Sequence, residues 1–151
     1  MPKRRRPVHL PLWDAAVRSN IVFLTVCTKD RRPVLANPEM MRRLTEAWSA
    51  ATRWRVGRYV IMPDHVHLFC APGSWPAESL ALWVRYWKRL TAQAVAGDIW
   101  QKNFWDTQLR RHESYGAKWE YVRQNPVRAK LVRHDEDWLY QGELNVLEWV
   151  E

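Results

Sequence analysis

The stretch that decides the fold is "GRYVIMPDHVHLFCAP", residues 57–72. It contains two runs rich in β-branched and aromatic residues, separated by "MPD". This pattern predicts two antiparallel strands, at about 56–62 and 65–71, joined by a tight turn. Because side chains alternate between the two faces of a strand, His65 and His67 point to the same face.

The two histidines allow two interpretations. Imidazoles spaced roughly 6–7 Å apart along a strand can converge on one metal ion. Alternatively, each is an ordinary residue of a polar face, hydrogen-bonded or solvated. Cys70 points to the opposite face, so a zinc site that uses this cysteine is not expected. The spacing leaves both interpretations open until partners are found elsewhere in the chain.

The rest of the chain alternates between strand-like and helix-like patterns. The predicted elements are a strand at 20–28, a helix at 38–53, a helix at 76–96, a strand at 99–111 and a helix at 113–124. Asn37 is the expected N-cap of the first helix, with proline at its first position. The resulting order, β-α-β-β-α-β and then a helix, indicates an α+β, ferredoxin-like fold. We expect an antiparallel sheet with helices packed on one face and a C-terminal tyrosine-bearing helix.

Composition limits the partners and the organisation of the chain. The 151 residues predict a single domain, 1–151, in which residues 1–12 form a basic, flexible arm or a mere solubilising tail. The net charge of +8 and the pI of about 9.9 favour a polyanionic partner and no membrane. Cys27 and Cys70 lie in apolar runs, which is typical of buried thiols in a reducing cytosol, so we expect a cytoplasmic protein. Most of the eleven tryptophans are expected in the core.

The third predicted helix carries a tyrosine off its apolar stripe. Tyr115, Trp119 and Val122 recur at helical spacing and form that stripe. Tyr121 lies about 200° around the helix from Trp119 and therefore faces away from it. It is either an exposed tyrosine without a function or a nucleophile held over a second surface.

Asn125 follows Tyr121 by about one helical turn. Since it precedes Pro126, it is expected to be the N-cap of a short helix, "PVRAKLV". Its amide oxygen is also a suitable ligand for a hard cation. One residue can fill both roles.

Two segments together resemble a known family. "YVIMPDHVHLFCAP" (59–72) and "YVRQNPVRAKLV" (121–132) are similar to the HUH-type single-tyrosine transposases. The most similar branch is that associated with repetitive extragenic palindromes, or REP. The pair HVH is a weak signal alone, but HVH after "MP" followed by Y-x-x-x-N-P-V-R-A is a strong one. The similarity extends from about residue 21 to residue 132.

The chain departs from the family pattern at three places. Asp64 stands where these sequences usually have Asn, and Lys130 replaces a usual Gly. After Val132 the typical Trp-Ser-Ser ending is missing, and only Trp138 remains of it. These departures concern the periphery of the expected site and the choice of substrate.

The resemblance implies a role for each motif residue. His65, His67 and Asn125 would be the metal ligands, and Tyr121 would be the nucleophile. The implied activity is cleavage and rejoining of single-stranded DNA near a palindromic hairpin, through a covalent 5′-phosphotyrosine. Neutral nitrogen and oxygen ligands suit a divalent cation, Mg²⁺ or Mn²⁺. A single chain and a homodimer are both compatible with the family.

DNA would be bound by basic side chains on its phosphates and by aromatic side chains on unpaired bases. The candidate DNA-binding residues are Arg85, Lys88, Arg89, Arg110, Arg111, Lys118, Arg123 and Arg128. One alternative is a non-catalytic nucleic-acid-binding module with an RNA-recognition-like fold. Another is a metal-dependent hydrolase that forms no covalent intermediate.

Overall fold

The computed structural model describes residues 18–93, 98–110 and 115–147. The predicted basic arm at residues 1–12 lies outside these ranges. The elements are β1 (Arg18–Cys27), α1 (Pro38–Ala50), β2 (Trp54–Ile61), β3 (His65–Pro72), α2 (Leu80–Ala92), β4 (Trp105–Arg110), α3 (Tyr115–Val122), α4 (Asn125–Arg128) and β5 (Gln141–Glu143). Among the described residues, no helix has both the length and the apolar character that crossing a membrane requires.

The five strands form one antiparallel sheet in the order β4-β1-β3-β2-β5. The first four strands of this order have the ferredoxin-like arrangement, so the predicted fold is confirmed. The turn between β2 and β3 is closed by a hydrogen bond from the Met62 amide to the His65 carbonyl at 2.8 Å. The short edge strand β5 was not predicted.

Helices α1 and α2 pack on one face of the sheet. This face presents Val22, Leu24 and Leu68, all at most 3% exposed, to the two helices. Trp87 lies at the centre, with its ring 5.9 Å from Trp48, 6.1 Å from Trp83 and 5.4 Å from Trp100 (centroid distances), all edge-on. Burying one such apolar side chain stabilises the fold by roughly 1.5–3 kcal/mol. The tryptophan content is therefore mainly a core feature of the described residues, as predicted.

Helix α3 packs on the opposite face, which carries the two histidines. The ring of Tyr115 lies 4.8 Å from that of Phe69, and the Tyr115 hydroxyl accepts a hydrogen bond from the Arg58 amide at 2.9 Å. Gly57 leaves room for this hydroxyl, since a Cβ atom there would lie 2.6 Å from it. Burial raises the pKa of Tyr115 to about 12. The anchored helix therefore holds its remaining residues over the histidine face.

Some boundaries differ from the predicted ones. Helix α2 begins at Leu80 and not at Pro76, because the Ser79 hydroxyl accepts a hydrogen bond from the Leu82 amide and caps the helix there. Strand β4 begins at Trp105, whereas residues 99 and 100 only bridge to the end of β1. The Asn37 cap of α1 is confirmed, but that helix ends at residue 50 and not at 53.

Candidate active site

The two histidines of β3 lie side by side on the face covered by α3. Their ring centroids are 4.7 Å apart, with the ring planes at 77° to each other. The ring of His67 stacks on Phe23 at 5.3 Å. Cys70 points into the opposite layer and is fully buried, as the alternation of the strand predicts.

Each imidazole is held through its Nδ1 atom. The Nδ1 of His65 lies 2.7 Å from an Asp64 carboxylate oxygen, to which it donates. The Nδ1 of His67 lies 2.8 Å from the Thr25 hydroxyl on β1. If Nδ1 carries the proton in both rings, each Nε2 keeps a lone pair for a ligand. Within the part of the chain that the structure describes, no hydrogen bond engages either Nε2.

Both histidines are neutral near pH 7. The pKa of His67 is lowered to about 3, mainly by burial and in smaller part by repulsion from Arg128 and from His65 whenever that ring is protonated. Burial also lowers the pKa of His65, and this effect outweighs the hydrogen bond that His65 donates to Asp64, which raises it. Neutral imidazoles are the form that binds metals.

The corner between α3 and α4 presents the candidate nucleophile. Tyr121 is 69% exposed, whereas Tyr115, Trp119 and Val122 are buried, so the predicted separation from the apolar stripe is confirmed. The guanidinium of Arg128 lies 4.2 Å from the centre of the Tyr121 ring.

Arg128 also joins the tyrosine to Asn125. Its Nη2 donates to the Tyr121 carbonyl at 2.9 Å and to the Asn125 side-chain oxygen at 2.5 Å. The predicted N-cap role of Asn125 is wrong. The Asn125 side chain is turned toward Arg128, and Gln124 precedes the helix as its cap without a side-chain bond.

The corner lies within electrostatic range of the histidine face and is fixed by the segment that follows it. The charge of Arg128, which contacts Tyr121 and Asn125, contributes to the lowered pKa of His67. Two side chains before α4 bind Asp135: Arg123 forms an ion pair with it at 2.8 Å, and the Gln124 amide donates to it.

The residues present fit a divalent cation. Two neutral imidazoles offer nitrogen lone pairs, and the Asn125 amide oxygen keeps one lone pair beyond its bond to Arg128. This donor set of nitrogen and oxygen suits ions such as Mn²⁺ and Mg²⁺.

Comparisons with known proteins point to one family. The chain is 23% identical over 124 residues to the REP-associated tyrosine transposase of Escherichia coli strain K12, covering 81% of this chain and 75% of the relative. It superposes with a TM-score of 0.72 on the structure of a REP-associated tyrosine transposase bound to a REP hairpin, at 22% identity, covering 93% of this chain and 82% of the other. The predicted resemblance to REP-associated tyrosine transposases is confirmed.

A second solved structure shares the fold. It is a protein from Deinococcus radiodurans R1, provisionally assigned as a transposase, with a TM-score of 0.50 at 18% identity, covering 86% of this chain and 98% of the other. No family model matches the chain.

The residues predicted to bind DNA lie in different places. Arg85, Arg89, Arg110, Lys118 and Arg128 are exposed. Lys88 is half-buried and donates to the Gln101 carbonyl at 2.7 Å. Arg123 is engaged in ion pairs with Glu120 and Asp135, which makes it a structural residue of the corner. Arg111 lies outside the described residues.

Sequence reasoning missed three residues around the candidate site, and it predicted Arg128 only as a DNA-binding residue. On β1, Thr25 lies opposite His67 of β3, and Cys27 lies opposite His65. Alternation along "NIVFLTVCT" shows that Thr25 and Cys27 share a face, but the strand register that brings them to the histidines is a tertiary feature. Arg31 donates to the Asp64 carboxylate at 2.8 Å, and Arg128 donates to the Tyr121 carbonyl. No local sequence pattern indicates either contact.

Proposed function

We propose that this chain is a transposase that cuts and rejoins single-stranded DNA at palindromic hairpins. The observation that carries the proposal is the pair His65 and His67, each held through an Nδ1 bond on the face that α3 covers, together with the exposed Tyr121 near the end of α3. The likeness to REP-associated tyrosine transposases, one of them bound to a REP hairpin, supports hairpin DNA as the substrate.

His65, His67 and Asn125 would hold one Mg²⁺ or Mn²⁺ ion, and the imidazoles shift the preference toward Mn²⁺. When bound, such an ion supplies positive charge that offsets the charge of the non-bridging phosphate oxygens. Asp64 and Thr25 hold the two imidazoles in fixed orientations for this purpose.

Tyr121 would perform the covalent step. Its hydroxyl oxygen forms a bond to the phosphorus while the bond from phosphorus to the 3′ oxygen breaks. The phenolic proton is released, and the departing 3′ oxygen takes up a proton to become a 3′-hydroxyl. The product is a 5′-phosphotyrosine that keeps the phosphodiester bond energy, so a 3′-hydroxyl can reverse the step without a nucleotide cofactor.

Arg128 would support this step in two ways. Its guanidinium lies over the Tyr121 ring and restricts the orientation of that ring. It also adds a positive charge over the ring of the phenol that loses its proton during attack. The hairpin would be held by exposed basic side chains. The active assembly would be either a single chain or a homodimer.

The test is a cleavage assay on a labelled hairpin that carries a single-stranded flank. We expect cleavage and a covalent protein–DNA adduct on a denaturing gel with Mn²⁺ or Mg²⁺, and neither with EDTA. The double variant His65→Ala/His67→Ala should lose both while it remains folded, because the rings lie on the site face beside the core. An RNA-recognition-like module would bind without cleaving, and a hydrolase would cleave without an adduct.

Binding measurements add an independent arm to this test. Affinity for the flanked hairpin should fall steeply as salt rises and should exceed affinity for a blunt duplex of equal length. Equal binding to the duplex would indicate a general DNA-coating protein instead.

A further inference from the structure

Arg31 lies at the edge of the candidate active site, next to the turn between β2 and β3. Its Nε donates to Oδ2 of Asp64 at 2.8 Å, and the other oxygen of the same carboxylate accepts from Nδ1 of His65 at 2.7 Å. Its Nη1 lies 3.3 Å from the Sγ of Cys27, which is paired with His65 across β1 and β3. One carboxylate therefore joins a guanidinium to a candidate metal ligand.

The backbone that carries Arg31 has an unusual conformation. The φ angles of Asp30 and Arg31 are 56° and 55°, both in the left-handed region that residues with a side chain rarely adopt. The segment is tied to the turn before β3, because the Thr28 amide donates to the Asp64 carbonyl at 2.9 Å. The buried Thr28 hydroxyl donates to the Arg32 carbonyl, also at 2.9 Å. Strained backbone that its surroundings hold in place is concentrated at functional sites.

The ion pair with Asp64 does not explain this strain by itself. The side chain of Arg31 is 49% exposed, and exposed ion pairs stabilise a fold only weakly. The pair does fix the direction of the guanidinium, which makes the remaining N–H donors available in a defined place. Within the ranges that the structure describes, Nη2 of Arg31 has no acceptor. A guanidinium with a fixed direction and open donors is well suited to bind a phosphate oxygen.

The charge of Arg31 acts on the histidine face. It contributes to the lowered pKa of both His65 and His67, so the guanidinium lies within electrostatic range of the two candidate metal ligands. The contact of Nη1 with Cys27 places the guanidinium on that same face, because Cys27 and Thr25 share the side of β1 that meets the histidines. A substrate phosphate held at the histidine pair would therefore meet a positive charge from this side.

We propose that Arg31 is a catalytic residue that binds a non-bridging oxygen of the scissile phosphate. The contact uses the open Nη donors, while Asp64 holds the guanidinium beside His65. The metal ion and Arg31 contact different non-bridging oxygens, and together they stabilise the negative charge on the phosphate as the Tyr121 hydroxyl attacks. The inference rests on the proposed function, because it adds a residue to the same cleavage step.

The first experiment measures the rate of cleavage of a flanked hairpin at saturating protein and Mn²⁺. Arg31→Gln should cleave roughly 100-fold more slowly than the wild-type chain, as expected for the loss of one preorganised donor. Arg31→Lys keeps the charge but not the planar fork, so its rate should lie between the two. Arg32→Gln is the matched control and should cleave at the wild-type rate, because the Arg32 guanidinium donates to the Asp98 carbonyl instead.

Calorimetric titration with Mn²⁺ separates contact with the substrate from a role through Asp64. We expect the affinity of Arg31→Gln for Mn²⁺ to stay close to that of the wild-type chain, since the metal ligands and the carboxylate remain. A fall of about tenfold or more, of the size expected when the partner of a metal ligand is lost, would show that Arg31 only positions Asp64 and would overturn the proposal.

A modified substrate tests the contact itself. A methylphosphonate at the cleavage position replaces one charged non-bridging oxygen by a methyl group, and its two diastereomers lack opposite oxygens. For the diastereomer without the oxygen that faces Arg31, the wild-type chain and Arg31→Gln should cleave at similar rates, whereas the difference should persist for the other one.

Two results would overturn the assignment of Arg31 and leave the proposed function standing. One is an Arg31→Gln protein that cleaves the unmodified hairpin at the wild-type rate. The other is an equal rate difference between the two proteins on the phosphodiester and on both diastereomers. If the wild-type chain does not cleave the unmodified hairpin, the assignment and the proposed function both fail.

Discussion

Asp64 and His65 form a hydrogen-bonded pair in which Oδ1 of the carboxylate lies 2.7 Å from Nδ1 of the ring. The second carboxylate oxygen accepts a bond from Arg31 at 2.8 Å. Partial burial raises the pKa of Asp64, but the bonds from His65 and Arg31 outweigh it, so the net pKa is lowered and the carboxylate is ionised at neutral pH. Asp64, where the resemblance led us to expect Asn, therefore orients His65, a candidate metal ligand.

Removing this carboxylate should weaken metal binding. Asp64→Ala leaves the His65 ring without its partner, and we expect the affinity for Mn²⁺ to fall about 10- to 100-fold. Asp64→Asn keeps an oxygen that accepts from Nδ1, so the loss should be only a few-fold. The exposed ion pair with Arg31 contributes at most about 1 kcal/mol to stability, so both variants should fold. Calorimetric titration with Mn²⁺ measures these effects, and an unchanged affinity in Asp64→Ala would show that Asp64 does not position the ligand.

Protonation of His67 should make metal-free protein sensitive to acid. The pKa of His67 is about 3 in the folded chain, against about 6.5 for an unperturbed histidine. Between these values the unfolded state binds more protons, so stability is lost as the pH falls from about 6.5 toward 3. At pH 4.5 the cost should be roughly 2–3 kcal/mol.

The comparison that isolates this effect is between the wild-type chain and His67→Gln, both treated with EDTA. Urea unfolding at pH 7 and at pH 4.5 gives the free energy of unfolding of each. The acid-induced loss in the free energy of unfolding should be smaller in the variant by roughly 2–3 kcal/mol. Equal losses in the two proteins would mean that His67 is not held in its neutral form.

Much of the fold was predictable because it depends on local pattern. Alternation along β3 put His65 and His67 on one face, and helical spacing separated Tyr121 from its apolar stripe. The boundaries of α2 and β4 were missed because they depend on a serine cap and on a bridge to β1. The surroundings of the site could not be predicted either. Thr25 reaches the histidines through strand register, which short-range pattern does not determine.

Lys130 adopts a backbone conformation that favours glycine. Its φ angle is 60°, in the left-handed region, at a position where the family usually has Gly. Such a conformation costs a residue with a side chain roughly 1–2 kcal/mol. Glycine avoids this cost, but its greater freedom in the unfolded state cancels part of the gain in stability. Lys130→Gly should therefore raise the free energy of unfolding by roughly 0.5–1 kcal/mol, as measured by urea denaturation.

The matched control at this position is Lys130→Ala. Alanine keeps the Cβ atom that causes the strain, so its stability should stay close to that of the wild-type chain. If Lys130→Gly is less stable than Lys130→Ala, the strain assigned to this residue is wrong.

The central claim is that Tyr121 is the nucleophile, and Tyr121→Phe tests it most directly. The substitution removes one exposed hydroxyl and keeps the ring beneath Arg128, so fold and hairpin binding should be preserved. The matched control is Tyr86→Phe, a partly exposed tyrosine on α2. Tyr115→Phe is expected to remain active too, although the Arg58 amide loses its partner and stability falls by about 1–3 kcal/mol.

Each protein is incubated with an end-labelled, flanked hairpin and Mn²⁺, and the products are separated on a denaturing gel. We predict that cleavage and the covalent adduct fall by several orders of magnitude in Tyr121→Phe, while Tyr86→Phe remains fully active. A Tyr121→Phe protein that still cuts the single strand would contradict the account.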